Sequence, residues 1–398
     1  MSRKILILGA ASYQLPVIYE AQNRGYHVIV CSNNNQDPGI NIADEYYEIS
    51  IADHDAVIKL AKKIKPIRVI GYVSETAMHA AFIVNKALGL SNTSEQVVRT
   101  FTRKDLFRNF QASNKFPHPK YVLASKSDNI SIESTSLTYP IIVKPVDSCG
   151  SRGVSRVDIE DNLNAALEYA WHHSAKNLAI VEEVVSAQNR QFTGDGFVVN
   201  GQLKFLSYGE HLFDDQISNV TACGSFWPAN VSNSLSDDIF NSINKQVAAI
   251  GYKEGPFNID FRLNQEGKTI IIEISPRNGA NYFPQLIKYC TGVDLVSALF
   301  DVLEGITPSF ETNQSNYAVS LILYSEKDGT LDSVSIASKL DQWILQKEFS
   351  NQAGDHVKKF QHLGNSLGVL NFGFESEDAA KNVIKNRENL VNVILKST

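Results

Sequence analysis

The chain has 398 residues, 43% of them hydrophobic, with a formal net charge of −6. That length fits two or three domains, and the apolar share supports a sizeable core and excludes global disorder. The acidic balance and the lack of a long basic run argue against nucleic acid as the main partner. Four cysteines, Cys31, Cys149, Cys223 and Cys290, lie far apart without a CxxC pair. They read as free thiols in a reducing, cytoplasmic setting. The apolar run after Met1 is too short for a signal peptide, and no stretch is long enough for a membrane span.

In chain order, Lys4 to Leu8 reads as a short buried strand, followed by a helical pattern to about Arg24 and a stop at Gly25. His27 to Cys31 and Arg68 to Val73 read as further strands, the second followed by a helix over about Thr76 to Leu88. Strands alternating with helices predict a parallel sheet over roughly residues 1–100. A helix from Lys104 to Ser113 comes next, then a turn at Pro117-His118-Pro119 and a Ser/Asn/Asp-rich loop from Ser125 to Ser136. Tyr139 to Pro145 is a strand carrying Lys144, and the glycine-containing loop Asp147 to Val154 follows it. A helix over about 160–173 leads to the strand Leu178 to Glu183. Alternating strands from Arg190 to Tyr208 and a helix from about Asp237 to Ile250 come after that. The last part starts with a strand, Tyr317 to Tyr324, and ends in a segment rich in Val, Ile and Leu that reads as a helix.

The most telling stretch is Ile270-Ile271-Ile272-Glu273-Ile274-Ser275-Pro276-Arg277. It is an apolar strand with an acid, and alternation predicts that Glu273 faces the same way as Ile271. Asp260 sits in the preceding apolar stretch, Phe257 to Phe261. Acids on apolar strands are costly to bury unless they are paired or hold a metal. Two on successive strands with an arginine beyond suggest Mg2+ and phosphate oxygens. The alternative is a structural ion pair with Arg277 or Arg262. Lys144 is a cation on an apolar strand, and snorkelling to the strand end is its plainer reading. Lys104 alone would be a solvated surface charge. The loop Ser148-Cys149-Gly150-Ser151-Arg152-Gly153-Val154 offers backbone N–H groups to phosphates but lacks the Gly-Lys-Ser/Thr of a P-loop. Gly9-Ala10-Ala11-Ser12-Tyr13-Gln14 lacks the dinucleotide glycine spacing, and the second strand ends in asparagines rather than an acid. His211 reads as part of a solvated loop, and His172-His173 as a solvated helix end.

The order of these parts resembles the ATP-grasp superfamily over nearly the whole chain. Within it the chain is similar to carbamoyl-phosphate-synthase-like, biotin-carboxylase-like and glycinamide-ribonucleotide-type ligases. The resemblance implies an α/β and α+β architecture. A Rossmann-like domain would cover 1–100 and an ATP-grasp domain 101–312, with a mobile lid at about 120–185. A small C-terminal α+β domain would cover 313–398. It also implies an ATP-dependent carboxylate–amine ligase working through an acyl phosphate, with ATP and Mg2+ as cofactors and Mn2+ as a substitute. The partners implied are a small-molecule carboxylate and an amine, without membrane or nucleic acid, and a homodimer by superfamily habit. A bicarbonate- or formate-activating enzyme is one alternative, and a non-catalytic nucleotide-binding module is another.

Carried over by residue, Lys104, Lys144, Ser148, Gly150, Ser151, Gly153 and Val154 would meet phosphates. Glu182, Glu183 and Val185 would read the adenosine. Gln191, which stands where relatives often have glutamate, would bind the nucleotide through its amide, and Ser275 stands where many have asparagine. Asp260 and Glu273 would bind metal, with Arg277 and Lys144 as catalytic cations. Gln14, Glu75, Arg277 and Asn278 are the expected substrate contacts.

Overall fold

The computed structural model describes residues 3–396 except 92, 128–131, 133–134 and 186–189. The fold mixes α/β and α+β layers. Four parallel strands, in the order Glu45–Glu48, His27–Ser32, Lys4–Leu8, Arg68–Gly71, form the first sheet. Ile5 and Ile7 point into one apolar cluster, Leu6 and Leu8 into another on the opposite face. Covering on both faces is why this strand reads as an unbroken apolar run rather than an alternating one. The helices Leu15–Asn23, His54–Ile64 and Glu75–Ala87 supply that cover. Of these, His54–Ile64 escaped the sequence reading, as did the strand Glu45–Glu48 and the helix Glu95–Thr102.

A second, antiparallel sheet runs Tyr121–Ser125, Leu178–Glu183, Ile141–Pro145, Ser155–Val157. Half of the polar loop expected over Ser125 to Ser136 falls outside the described residues. The largest sheet has eight antiparallel strands. Thr269–Ser275 forms its edge, beside Gly255–Leu263, Gln191–Val199 and Gln202–Leu212. Gly224–Trp227, Tyr317–Leu323, Gly368–Phe374 and Ile344–Phe349 continue it. The boundary expected at 312/313 therefore crosses one continuous sheet, because Tyr317–Leu323 pairs directly with Gly224–Trp227.

The chain end corrects the expectation of a terminal helix. The helices are Glu377–Lys385 and Arg387–Leu390, and Val391–Leu395 is a strand paired antiparallel with Gly329–Ile336. Val391, Val393 and Leu395 pack on the apolar cluster beneath, whereas Asn392 and Ile394 are exposed. Period-two burial of β-branched residues is a strand signal, and composition alone had concealed it.

Gly196 faces Phe257 directly across two strands. A Cβ there would lie 2.3 Å from the Phe257 ring, so only glycine lets the ring lie flat over the strand. Gly196→Ala should therefore lower the unfolding free energy by about 1–3 kcal/mol through overpacking. Denaturant titration checks this, and an unchanged midpoint would show that the ring has room to swing aside.

Candidate active site

The strand Thr269–Ser275 begins apolar because its first half lies over a core. Ile271 and Ile274 belong to the same buried cluster, although they are three positions apart. Strict alternation forbids that. The reason is a bulge: Asp260 pairs with Glu273 and Phe261 with Ile271, so Ile272 is the extra residue. Past the bulge the facing inverts. Ile272 and Glu273 line the cavity between the two antiparallel sheets, and Ile271 stays in the core. The expectation that Glu273 faces with Ile271 is thus corrected. An unbulged strand would have sent the carboxylate into the apolar cluster.

Asp260 and Glu273 are direct cross-strand partners, and both line the cavity. Burial pushes the Asp260 carboxyl up, but His211 and the Thr193 hydroxyl pull it back, and the net direction is down. His211 Nε2 lies 3.5 Å from Asp260 Oδ1. His211 belongs to the strand Gln202–Leu212 rather than to a solvated loop, which corrects its sequence reading. Gln191 bridges the acid to a cation. Its Nε2 donates to Asp260 Oδ2 at 3.4 Å, and its Oε1 accepts from Arg262 Nε and Nη2 at 3.1 and 3.0 Å. An amide can do both, whereas a carboxylate here would repel Asp260.

The opposite wall carries the lysines. Lys104 Nζ donates to the Ser148 carbonyl at 2.7 Å and lies 3.4 Å from Glu273 Oε1. Lys144 Nζ meets Glu182 Oε2 at 2.7 Å, with both side chains almost wholly buried. Arg108, fully buried, donates from Nε to Glu182 Oε1 at 2.7 Å. Burial alone would raise the Glu182 carboxyl, but Arg108 and Lys144 hold it down at about 2. Both of its oxygens are engaged by these cations, and it lines the cavity together with Lys144. Glu183, Val184 and Val185 line the cavity beside it. Arg108 went unnoticed in the sequence, although it lies one helical turn beyond Lys104 on the same face.

The loop 148–154 closes over this space. Gly150, Ser151 and Gly153 have φ of +65°, +60° and +77°. Left-handed residues close together turn their N–H groups toward one side, a geometry suited to anions. Ser148, Gly150, Ser151 and Val154 line the cavity. Gly153 instead lets the loop pack down, since a Cβ there would lie 2.8 Å from His173 Cβ. Leu363 N donates to the Gly150 carbonyl at 3.1 Å, and Ser151 Oγ to the Val220 carbonyl at 3.4 Å. His173 is half-buried against the Tyr169 ring, while His172 is exposed.

The expected substrate contacts lie apart from the residues lining this cavity. Arg277 Nη2 meets Glu75 Oε1 at 2.9 Å, and the Ser275 hydroxyl donates to the same Glu75 oxygen. This pair fastens the first sheet's helix Glu75–Ala87 to the loop beyond Glu273. Arg277 Nε is buried without a partner. Asn278 Nδ2 donates to Asp195 Oδ2 at 3.3 Å. Gln14 is buried and donates from Nε2 to the Tyr72 carbonyl at 3.2 Å, which holds its own loop in place.

The cavity fits a nucleotide triphosphate with Mg2+. Among the described residues no group of three or more His, Cys, Asp or Glu could hold a metal alone. Two facing carboxylates suit Mg2+, which takes its remaining oxygens from phosphates and water. The lysines and the loop N–H groups suit the phosphates themselves. Among the described residues no helix is long and apolar enough to cross a membrane.

Residues 137–284 match the family model of the ATP-grasp domain. A formate-dependent phosphoribosylglycinamide formyltransferase from Synechococcus is 29% identical over 184 residues, 45% of this chain and 47% of that protein. One from Bacteroides thetaiotaomicron is 24% identical over 283 residues, 69% of this chain and 70% of that protein. The chain thus spans about half the length of the first of these relatives and more of the second. Phosphoribosylglycinamide synthetase from Anaerococcus prevotii shares the fold with a TM-score of 0.76 at 20% identity, over 100% of both chains. L-amino acid ligase from Bacillus licheniformis does so with a TM-score of 0.84 at 17% identity, covering 100% of this chain and 99% of that one.

Asp195, wholly buried, accepts from Gly279 N at 2.9 Å and from Asn258 Nδ2 at 3.0 Å, and so ties down the loop carrying Arg277. Burial pushes its carboxyl from 3.8 up to about 6, against these donors. The folded state then keeps a proton that the unfolded chain has lost between those two values. Stability falls as pH rises through that window, by about 3 kcal/mol in total. Urea unfolding from pH 4 to 7 should show this slope in the wild type and lose it in Asp195→Asn. Parallel profiles for the two proteins would contradict the assignment.

Proposed function

We propose that this ATP-grasp protein is an ATP-dependent carboxylate–amine ligase. The observation that carries this reading is the facing pair Asp260 and Glu273, turned into a cavity whose other wall holds Lys104, Lys144 and the glycine loop. In this reading the backbone of Glu183 to Val185 takes the adenine edge, and Ile142 and Ile272 give the base apolar walls. Lys104, Lys144 and the N–H groups of 148–154 hold the phosphates in line. Mg2+ at Asp260 and Glu273 supplies charge neutralisation as the phosphoryl group moves.

A carboxylate oxygen of the substrate attacks the γ-phosphorus, and the bond to the β-phosphate oxygen breaks with its electron pair leaving on ADP. Arg277, held by Glu75, is a fixed cation for the acyl phosphate so formed. An amine nitrogen then attacks the acyl carbon, and the C–O bond to phosphate breaks. The amine loses a proton, and the products are an amide, ADP and phosphate. Catalysis here is positioning and electrostatics rather than covalent chemistry by a side chain.

A second reading, formate activation, is favoured by the formyltransferase relatives and by Ser275 two residues beyond Glu273. The likeness to L-amino acid ligase makes amino acids the first acids and amines to assay.

Mg-ATP and hydroxylamine with a panel of amino acids, small organic acids, formate and bicarbonate should yield a hydroxamate and phosphate with one class. No hydroxamate or phosphate with any acid, despite nucleotide binding, would point to a non-catalytic module. Glu273→Gln should cut phosphate release by about 10²-fold or more. Its thermal midpoint should stay within about 4 °C of wild type. Full turnover in that variant would refute the metal role.

A further inference from the structure

The bulge at Ile272 leaves strand carbonyls in need of donors, and Arg108 meets both of them. Arg108 Nη1 donates to the Ile271 carbonyl at 3.1 Å and Nη2 to the Ile272 carbonyl at 2.7 Å. The guanidinium plane is completed by Glu182, with Nε at 2.7 Å and Nη2 at 3.5 Å from its two oxygens. Gln111 supports it from the next turn, accepting from Nη1 at 2.8 Å and donating to the Ile271 carbonyl at 3.3 Å. Glu182 in turn grips Lys144. Arg108 therefore touches three elements: its own helix Lys104–Ser113, the four-stranded sheet through Glu182, and the edge of the large sheet through the bulge.

We propose that Arg108 is a positioning residue whose guanidinium clamps the bulge that turns Glu273 into the nucleotide cavity and, through Glu182, sets Lys144 opposite it. The inference rests on the nucleotide reading above. It adds the physical device that makes the two walls one site. The forked, planar shape matters as much as the charge. Five donors in one plane reach a carboxylate on one edge and two carbonyls on the other, which an ammonium cannot do. A bulged edge strand without such donors would relax toward the regular ladder. That register carries Glu273 back to the core side, where a carboxylate is costly.

Arg108→Lys tests the clamp, since it keeps a cation for Glu182 but loses the fork. The readouts are ADP affinity without metal, the Mg2+ concentration for half-maximal turnover, and kcat. Metal-free ADP affinity should change far less than the Mg2+ requirement, because lysine still offers Glu182 a cation. The Mg2+ requirement should rise by about 10- to 100-fold, as for other residues that orient metal ligands, and kcat should fall with it. A purely structural arginine would lower the thermal midpoint but leave the Mg2+ dependence of the surviving activity unchanged, and that outcome overturns the proposal. If Arg108→Lys does not fold, a crystal structure of the wild type with MgADP decides. Arg108 on both carbonyls with Ile272 unpaired upholds the clamp, and a regular ladder or a guanidinium turned away overturns it. A wild type that binds no magnesium nucleotide at all sinks the nucleotide reading and this inference with it. Wild-type binding with an indistinguishable Arg108→Lys sinks the inference alone.

Discussion

A buried guanidinium between two sheets is the constraint on which the site geometry depends. Arg108 has no exposed surface, and its charge is answered by Glu182, itself shared with Lys144. Removing water from three charges is expensive, and their mutual attraction offsets that cost only when every hydrogen-bonding group is used. Here the remaining donors of Arg108 go to Gln111 Oε1 and to the Ile271 and Ile272 carbonyls at the bulge. The network and the bulge thus account for each other. Losing one partner would leave an uncompensated buried charge, typically a cost of about 3–5 kcal/mol.

The same geometry divides labour among the charged groups around the cavity. Glu182, which looks in the sequence like a ligand for the ribose, is occupied on both oxygens and serves to hold cations. Asp260 and Glu273 both line the open space, with longer contacts of 3.4–3.5 Å to His211, Gln191 and Lys104. Gln191 joins Asp260 to Arg262 without adding charge. Neutral linkage there adds no further charge to a lining that also carries Arg152, Arg156 and Arg262.

A second set of contacts connects the cavity to the rest of the molecule. Arg277 and Ser275, just past Glu273, bind Glu75 at the start of a helix on the first sheet. The loop over the cavity meets Leu363 from the C-terminal region through a backbone hydrogen bond. Three parts of the chain thus meet around the cavity and the loop beyond Glu273. Specificity residing in loops, with the chemistry fixed on strands, is the usual division in such folds.

Much of this was readable from the chain. The apolar runs at Lys4–Leu8 and Ile270–Ile274, and the acids Asp260 and Glu273, mark strands and chemistry by residue type alone. The lysines at 104 and 144 and the glycines at 150 and 153 draw their phosphate role from the resemblance in the order of parts, since Lys104 alone reads as a surface charge. What remained hidden was non-local. The bulge depends on a register between two strands, and a single inserted residue reverses every facing beyond it. The role of Arg108 needs partners 74 and more positions away, and His211 reached Asp260 only once two strands of the large sheet lay in place. Val391–Leu395 became a strand because Gly329–Ile336 offered it a ladder. Sequence determined which groups carry charge and which segments seek burial. Tertiary structure decided where each carboxylate points, because side-chain direction follows from pairing register, and register is set by partners far along the chain.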